Sequence, residues 1–391
     1  MLKQGFQVNF KWVIINASVV IFYLVYYFHA MTPLEQNLIH TQLSNFKMDL
    51  STPKRIIQWT PIFHNYQAAS LAGCPELMSR CFFDHNRSRV AEADAVMFHG
   101  PDLHEFPELP PPHTRSRKQR YVFLTMESAY NTFHLISERV LPYNYFNWTM
   151  TPSFASDIVF KYGGYWLSPK EANANGFKVD SYNLLNASSY LNKIPSIFAL
   201  ISNCNTLSKR EDALYEINKY FNVTMAGVCA KDPNLRMLCP KDEGNCEEEI
   251  SKYAFFFSGE NTSCKDYVSE KYWIRNKLPT ILIVLKRSDY VNVNYPPHSI
   301  IALDDFESPQ ALSEYLWHLV NNQASYAEYF AWRQEGWTVV PQNSNGYRNG
   351  YCLLCEKLLD ENQEEKVIRD VKDWYENVSS CDDKFVDKWI G

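Results

Sequence analysis

The chain has 391 residues, of which 46% are apolar, 21% charged and 15% aromatic, a composition that excludes a disordered chain, a collagen and a coiled coil. Lys and Arg number 38 against 44 Asp and Glu, giving a net charge of -6, so nucleic acid is not an expected partner. The length favours two domains. Only 13 residues are glycine and no G-x-G-x-x-G or G-x-x-x-x-G-K-S/T motif occurs, so any nucleotide must be held by another device.

The first long apolar segment is WVIINASVVIFYLVYYF (12–28), which carries no formal charge and would be about 26 Å long as a helix. Lys3 and Lys11 precede it and no A-x-A cleavage site follows, which favours an uncleaved signal anchor over a removed signal peptide. We therefore predict a cytosolic tail (1–11), a transmembrane anchor (12–28) and a stem (29–54). The remainder would lie in the lumen of the secretory pathway, as in a type II membrane protein.

The cysteine content agrees with an oxidising lumen, because the chain has an even number, 10. Cys352 and Cys355 form a C-x-x-C, but no second C-x-x-C completes a zinc site, so structural disulfides are favoured. The residues alone leave the pairing open for Cys204, Cys229, Cys239, Cys246, Cys264 and Cys381. Sequons for N-glycosylation occur outside the anchor at Asn86, Asn147, Asn186, Asn222, Asn261 and Asn377.

Short apolar runs predict buried strands along the whole folded part of the chain. In the first half these strands are 55–59, 94–98 and 121–126. The second half alternates strands with helices: strands at 195–202, 252–259, 280–285 and 299–303, and helices at 208–221, 266–277 and 308–322. Ser308 followed by Pro309 is a typical helix start. The alternation predicts α/β domains whose parallel sheets are covered on both faces, with a boundary near residue 190.

The densest cluster of polar and charged residues is SGENTSCKDYVSEKYW (258–273), between a predicted strand and a predicted helix. Ligands in open α/β sheets bind at such strand ends. If Asp266 caps the helix, the free amides of its first turn favour an anion such as a diphosphate, and Lys271 adds a full charge. The alternative is that Glu270 and Lys271 form an ordinary solvated pair. The residues alone leave these two interpretations open.

Three separate segments of the chain resemble the α1,3-fucosyltransferases of glycosyltransferase family 10. YAFFFSGENTSCKDYVSEKYW (253–273) is similar to the family signature, Phe-x-x-x-Phe-Glu-Asn-Ser followed by Asp-Tyr-Val/Ile-Thr-Glu-Lys. YPPHSIIALDDFESPQALSEYLWHL (295–319) with YFAWR (329–333) resembles its downstream half, and FNWTMTPSFASDIVFKYGGYW (146–166) resembles an upstream block. The resemblance implies a GT-B fold, two Rossmann-like domains facing a cleft, and GDP-fucose as the donor.

The resemblance also implies roles for residues of the second half. Glu270 and Lys271 match family residues that contact the donor sugar and the diphosphate, with Tyr267 near the nucleotide. Arg210 matches an arginine that holds the diphosphate; its alternative is a solvent-facing helical residue. Asn261 lies within the signature, so we expect it to remain unglycosylated and to donate a hydrogen bond in the donor site, and Asn147 in its tight block is also expected to be bare.

In the first half the resemblance places a general base at Glu127, in YVFLTMESAYN (121–131), whose alternative is a surface carboxylate at a strand end. Met126 and Ala129 replace the Phe and Pro of the family's Phe-Glu-Ser-Pro motif. In the second half Lys286 replaces a glycine that many members have after the strand. The family joins an early cysteine pair to a late C-x-x-C, which implies structural disulfides among Cys74, Cys81, Cys352 and Cys355.

The resemblance implies that no metal is required, because a lysine and an arginine hold the diphosphate, although Asp304 and Asp305 form an acidic pair. The expected activity is inverting transfer of L-fucose in α1,3 linkage to a GlcNAc of a glycan, by an enzyme anchored in the Golgi membrane. The alternatives are a catalytically silent relative that binds glycans or assists secretory assembly, and the same fold with another nucleotide sugar. The domains would be acceptor-side (55–190), donor-binding (191–350) and a C-terminal segment (351–391).

Overall fold

A computed structural model describes residues 52–66, 69–134, 136, 141–177, 192–239, 246–341, 347–362 and 365–391. The predicted cytosolic tail, the anchor (12–28) and the stem up to residue 51 lie outside this range. Among the residues that are described, no helix is both long and apolar enough to cross a bilayer. Pro53–Gly391 forms one compact unit, and the folded part starts with a strand at Lys54.

The first half of the chain forms a parallel sheet of six strands in the order β2-β1-β3-β4-β5-β6. Its strands are β1 Lys54–Gln58, β2 Cys81–Asp84, β3 Ala95–His99, β4 Arg120–Leu124, β5 Trp148–Thr151 and β6 Ile158–Val159. All of them run in one direction, so their carboxyl ends share one edge. Glu127 follows β4 at that edge.

The second half forms a parallel sheet of five strands in the order β12-β11-β10-β8-β9. Its strands are β8 Ile194–Leu200, β9 Val223–Ala226, β10 Tyr253–Phe257, β11 Ile281–Val284 and β12 Ile300–Ala302. A separate antiparallel pair joins β7 Gly164–Leu167 to β13 Thr338–Pro341. The predicted strands are confirmed with ends shifted by one or two residues, whereas β2, β5, β6, β7, β9 and β13 were not predicted.

Helices cover both sheets. They are α1 Ala129–Phe133, α2 Pro169–Ala174, α3 Arg210–Ile217, α4 Pro233–Arg236, α5 Cys246–Ile250, α6 Glu270–Arg275, α7 Pro309–Asn321, α8 Gln323–Glu328, α9 Ala331–Glu335, α10 Gly350–Leu359, α11 Val371–Ser379 and α12 Phe385–Ile390. The predicted start of α7 is confirmed, because the Ser308 hydroxyl accepts a hydrogen bond from the amide of Ala311 (3.2 Å) and Pro309 opens the first turn.

Alternate side chains of each strand enter different cores, which is why both faces of each sheet carry helices. In the first sheet, Ile56 packs with α10 on one face, and Ile57 packs with α1 and α11 on the other. In the second sheet, Phe255 packs against α3, α7 and α12, while Phe256 packs against α6 and α9. The C-terminal helices α10 and α11 therefore return to the sheet formed by the first half of the chain.

Five disulfides occur in the described part of the chain: Cys74–Cys352, Cys81–Cys355, Cys204–Cys229, Cys239–Cys246 and Cys264–Cys381. The first two join the early cysteines to the C-x-x-C on α10. Because Cys74 and Cys352 are 278 residues apart, their bond removes roughly 5 kcal/mol of chain entropy from the unfolded state in the loop-closure account. The disulfides thus hold α10 on the first sheet.

Candidate functional site

Glu127 is half-buried at the carboxyl end of β4, just before α1. Its amide donates to the hydroxyl of Thr125 (3.0 Å), and the phenol of Tyr375 on α11 donates to its main-chain oxygen (2.8 Å). The side chain of Asn131 donates to carboxylate oxygen Oε2 (3.3 Å). These contacts fix the main chain of Glu127 and the orientation of its carboxylate.

Tyr267 connects Glu127 to the second half of the chain. Its hydroxyl donates to Oε2 of Glu127 (2.9 Å). Burial, together with Tyr162, Glu127 and Glu260, raises the pKa of Tyr267 well above its ordinary value, so the phenol stays protonated and remains a donor. Oxygen Oε1 of Glu127 has no hydrogen-bond partner within the described ranges.

Glu260, near the beginning of the segment 258–273, binds residues at the start of α6 in the same segment. Its buried carboxylate accepts hydrogen bonds from the amide (2.8 Å) and hydroxyl (2.8 Å) of Ser269 and from Nζ of Lys271 (3.0 Å). These are charge-assisted bonds in a site with little water, where they are strong. Glu260 was not among the predicted site residues, although it follows the predicted strand directly and stands in the Ser-Gly-Glu-Asn run of the signature.

The charges around Lys271 explain its protonation. Burial by itself would lower the pKa of Lys271, but Glu260 and Glu270 raise it above its ordinary value, against a smaller opposing effect of Arg210. The side chain of Glu270 is 54% exposed and its Oε1 lies 3.5 Å from Nζ of Lys271. Lys271 is thus a fixed cation between two carboxylates, and the alternative of a freely solvated pair with Glu270 does not describe it.

Arg210 is buried at the first position of α3, with 4% of its surface exposed. Its Nη1 donates to the main-chain oxygen of Gly259 (2.8 Å) and its Nη2 approaches that of Asn203 (3.4 Å). Its Nε lies 3.5 Å from Glu211 and makes no hydrogen bond in the described part of the chain. The interpretation of Arg210 as a solvent-facing residue is therefore wrong, and its charge lies beside the turn that carries Glu260.

Charged residues from both halves of the chain lie close enough to Tyr162 to affect its pKa. Glu127, Glu270 and Glu260 all act with burial to raise the pKa of Tyr162 well above its ordinary value. The ring of Tyr162 contacts that of Tyr267 edge to face at 6.1 Å. Residues predicted separately from the two halves therefore share one neighbourhood.

A cavity of about 520 Å³ opens beside this neighbourhood, between α1 of the first half and the loops of the second half. Its walls include Tyr130, Asn131 and His134 on one side and Asn203, Thr206 and Asn261 on the other. Asn131, which binds Glu127, thus reaches this cavity. The main-chain oxygen of Asn261 accepts from the amide of Ser208 (3.1 Å), which ties the signature to the loop before α3.

The prediction that Asp266 caps the helix is wrong. The N-cap of α6 is Ser269, whose hydroxyl accepts from the amide of Lys271 (3.4 Å), and the helix begins at Glu270. Asp266 has a positive φ of 68°, and its carboxylate accepts from the amide of Phe154 (3.0 Å) and the side chain of Asn292 (2.9 Å). Asp266 connects the two halves instead of opening the helix.

The acidic pair Asp304 and Asp305 binds Arg287. The Arg287 side chain donates to both carboxylate oxygens of Asp305, and its amide donates to Asp304 (2.7 Å). No group of three or more metal-ligating side chains occurs in the ranges that the structure covers.

The sequon residue Asn147 is buried. Its side-chain amide donates to the main-chain oxygen of Lys366 (2.9 Å).

Asp289 is a buried carboxylate beneath the signature segment. It accepts a hydrogen bond from the hydroxyl of Ser263 (2.6 Å), and its main-chain oxygen accepts from the amide of Asp266 (2.9 Å). Burial raises the pKa of Asp289 to about 6, although Ser263 and Lys286 act in the opposite direction. The folded state therefore binds this proton more tightly than the unfolded state does.

We expect Asp289→Asn to stabilise the protein at neutral pH. A raised carboxyl pKa lowers the free energy of unfolding as pH rises from about 4 to 6, by up to about 3 kcal/mol, and the amide removes that loss. The variant should therefore be more stable than wild type at pH 7.5 and equal to it near pH 4, measured by urea unfolding. Exposed Asp383→Asn should show no such pH dependence. A stability difference for Asp289→Asn that is independent of pH would contradict this assignment.

Two family descriptions match the chain. "Fucosyltransferase, N-terminal" matches residues 51–163, and "Glycosyltransferase family 10 (fucosyltransferase) C-term" matches residues 191–374. Together they cover both parallel sheets.

Curated relatives align over most of their length. The 3-galactosyl-N-acetylglucosaminide 4-alpha-L-fucosyltransferase FUT3 of Bos taurus is 32% identical over 334 residues, covering 83% of this chain and 82% of that protein. The alpha-(1,3)-fucosyltransferase fut-6 of Caenorhabditis elegans is 30% identical over 332 residues, covering 82% and 79%. A crystal structure of an alpha1,3-fucosyltransferase has a TM-score of 0.51 at 16% identity, covering 82% of this chain and 94% of that one, and shares its fold.

Proposed function

Because the chain belongs to glycosyltransferase family 10, the fucosyltransferases, we propose that it transfers L-fucose from GDP-fucose, in α1,3 linkage, to a GlcNAc of an N-glycan or a related glycoconjugate. The observation that carries the proposal is the hydrogen bond from Tyr267 to Glu127, made by the same segment in which Glu260 binds Lys271 (3.0 Å) and Gly259 binds Arg210 (2.8 Å). Several curated relatives are named alpha-(1,3)-fucosyltransferases, which supports the linkage. A solved relative of the same fold is described with GDP-fucose, which supports the donor.

The proposed reaction is a single in-line displacement. The acceptor hydroxyl attacks C1 of fucose as the bond from C1 to the β-phosphate oxygen breaks, and the hydroxyl proton passes to Glu127. GDP leaves with the bonding electron pair, and attack from the opposite face inverts the anomeric centre. Oxygen Oε1 of Glu127, which has no partner among the described residues, supports this role, because Oε2 is already held by Tyr267 and Asn131.

Lys271 and Arg210 would stabilise the leaving diphosphate. Negative charge grows on the β-phosphate as the sugar departs, so fixed cations bind the transition state more strongly than the ground state. Glu270 would face the opposite charge, the positive character of the fucose ring. Tyr267 and Asn261 complete the proposed donor-side residues.

We propose further that Lys271 and Arg210 neutralise the charge of the diphosphate in place of a metal ion. A divalent cation would at most stimulate the reaction. The acidic pair Asp304–Asp305 already binds Arg287. We also propose a luminal location in the Golgi, with the chain anchored through 12–28. The disulfides in the described part of the chain support an oxidising compartment.

We expect Tyr267→Phe to lower kcat by about ten- to hundredfold, because the lost hydroxyl bond to a carboxylate orients the base. KM for GDP-fucose should change less than kcat, because the ring of Tyr267 is retained on the donor side and only its hydroxyl, bonded to Glu127, is lost. Tyr162→Phe is the matched control, because its ring contacts Tyr267 and, among the described residues, the hydrogen bond to Oε2 of Glu127 comes from Tyr267 and not from Tyr162. Equal losses in both variants, measured by initial rates, would show that Tyr267 does not act through Glu127.

The direct test is incubation of the full-length chain with GDP-fucose and an acceptor array, followed by mass spectrometry of product linkage. Transfer to the 3-hydroxyl of GlcNAc is expected, and GDP-mannose should not replace the donor. Thermal stabilisation by GDP without turnover would instead favour a silent relative. The same array should contain both core and antenna acceptors. We propose that loops of the first half determine which of these acceptors the protein uses.

A further inference from the structure

The last residues of the chain, 380–391, form a segment that we call the C-terminal strap. It lies beyond the family match, which ends at residue 374. It leaves α11, which packs on the first sheet, and ends in α12, which packs on the second. Val386 and Trp389 are buried there, and the indole of Trp389 donates to the main-chain oxygen of Phe306 (2.9 Å). The strap is therefore a packed part of the fold.

One end of the strap is fastened to the signature segment 258–273. Cys381 forms a disulfide with Cys264. On either side of this bond, the amide of Asp382 donates to the main-chain oxygen of Ser263 (2.8 Å), and the amide of Lys265 donates to that of Ser379 (2.8 Å). A covalent bond flanked by two main-chain hydrogen bonds fixes this part of the segment.

Lys286, two residues beyond the end of β11, adds a charged contact at the same place. Its Nζ donates to Oδ2 of Asp382 (3.0 Å); the side chain of Lys286 is 18% exposed and that of Asp382 is 35% exposed. This pairing lowers the pKa of Asp382 below its ordinary value against the effect of its burial. The side chain of Lys286 thus helps to hold the strap in place.

The other end of the strap reaches the start of α3. Asp387 forms an ion pair with Lys209 (2.6 Å), the residue directly before Arg210. Asp383, Lys384 and Asp387 also line the cavity of about 520 Å³, across from α1. The strap therefore touches both the segment that carries Lys271 and the helix start that carries Arg210.

We propose that the C-terminal strap is a positioning element for the donor diphosphate, which holds the segment of Lys271 and the start of α3 at a fixed spacing. This inference rests on the proposed function. The strap does not touch the reacting atoms. Electrostatic stabilisation depends on charges held in place before the reaction, so a looser segment weakens donor binding more than it alters the base.

The test is the double variant Cys264→Ser/Cys381→Ser of the full-length chain, which leaves no unpaired thiol. We expect its KM for GDP-fucose, and its dissociation constant for GDP measured by calorimetry, to rise about tenfold. KM for the acceptor should stay within about twofold. The matched control is Cys239→Ser/Cys246→Ser, which removes a disulfide of the same half whose two cysteines both lie outside the strap.

A second measurement separates positioning from general loss of stability. Urea unfolding of the two double variants should show both folded at the assay temperature, while only the Cys264→Ser/Cys381→Ser variant has a raised KM for GDP-fucose. Absence of transfer by the wild type would refute the proposed function. Normal transfer by the wild type with an unchanged donor KM in the variant, or an equal rise in the control, would overturn the positioning role alone.

Discussion

Glu127→Gln should lower kcat for fucosyl transfer by about 100- to 10,000-fold, the usual contribution of a general base. Glutamine has the size of glutamate and can still accept the hydrogen bond of Tyr267, so the packing at the end of β4 should persist. The amide cannot take up the acceptor proton. GDP binding, measured by calorimetry, should stay within about twofold of wild type, because the lost function lies on the acceptor side.

The control for Glu127 is Glu105→Gln, which removes an exposed carboxylate of the same half. Its kcat should equal that of the wild type. Full activity of Glu127→Gln would exclude Glu127 as the base and would mean that another group near the cavity accepts the proton. An equal loss of GDP affinity would indicate that the substitution disturbs the whole site.

Lys271→Met should lower kcat/KM by about 100- to 1,000-fold, the typical effect of removing one stabilising donor from a developing oxyanion. It should also weaken GDP binding, because the proposed contact of the cation with the diphosphate would form before reaction as well. The substitution leaves the buried carboxylate of Glu260 without its ammonium partner, although Ser269 still donates two hydrogen bonds to it. A loss of stability of about 1 to 3 kcal/mol is therefore expected as well.

A double variant separates these two effects of Lys271. Glu260→Gln/Lys271→Met removes the unpaired carboxylate, so its unfolding free energy should recover toward that of the wild type while its activity stays low. Lys265→Met, an exposed lysine of the same segment, should be nearly neutral for both properties. Recovery of activity along with stability would mean that Lys271 only supports the fold.

Local patterns predicted most of the strands because each buried strand is a short apolar run that ends at polar residues. Ser308 and Pro309 marked α7 for the same reason, since a cap depends on neighbours in sequence. The antiparallel pair of β7 with β13 could not be predicted this way. Trp166 pairs with Val339, and neither segment shows that register on its own.

The site was predicted unevenly because some of its contacts are local and others are not. Glu127, Lys271 and Arg210 were selected through motifs, and the structure brings them to one neighbourhood. Glu260 was missed because its partners lie 9 and 11 residues further along the chain. Asp266 was misassigned because an aspartate before a helix is usually a cap, whereas here tertiary contacts with Phe154 and Asn292 hold it.

The return of α10 and α11 to the first sheet has a consequence for how the protein is made. Cys74 leaves the ribosome 278 residues before its partner Cys352, a delay of roughly 15 to 60 seconds at ordinary elongation rates. During that interval one face of the nascent six-stranded sheet has no helix over it. The apolar side chains of that face therefore lack the cover of α10 until almost the whole polypeptide has been synthesised.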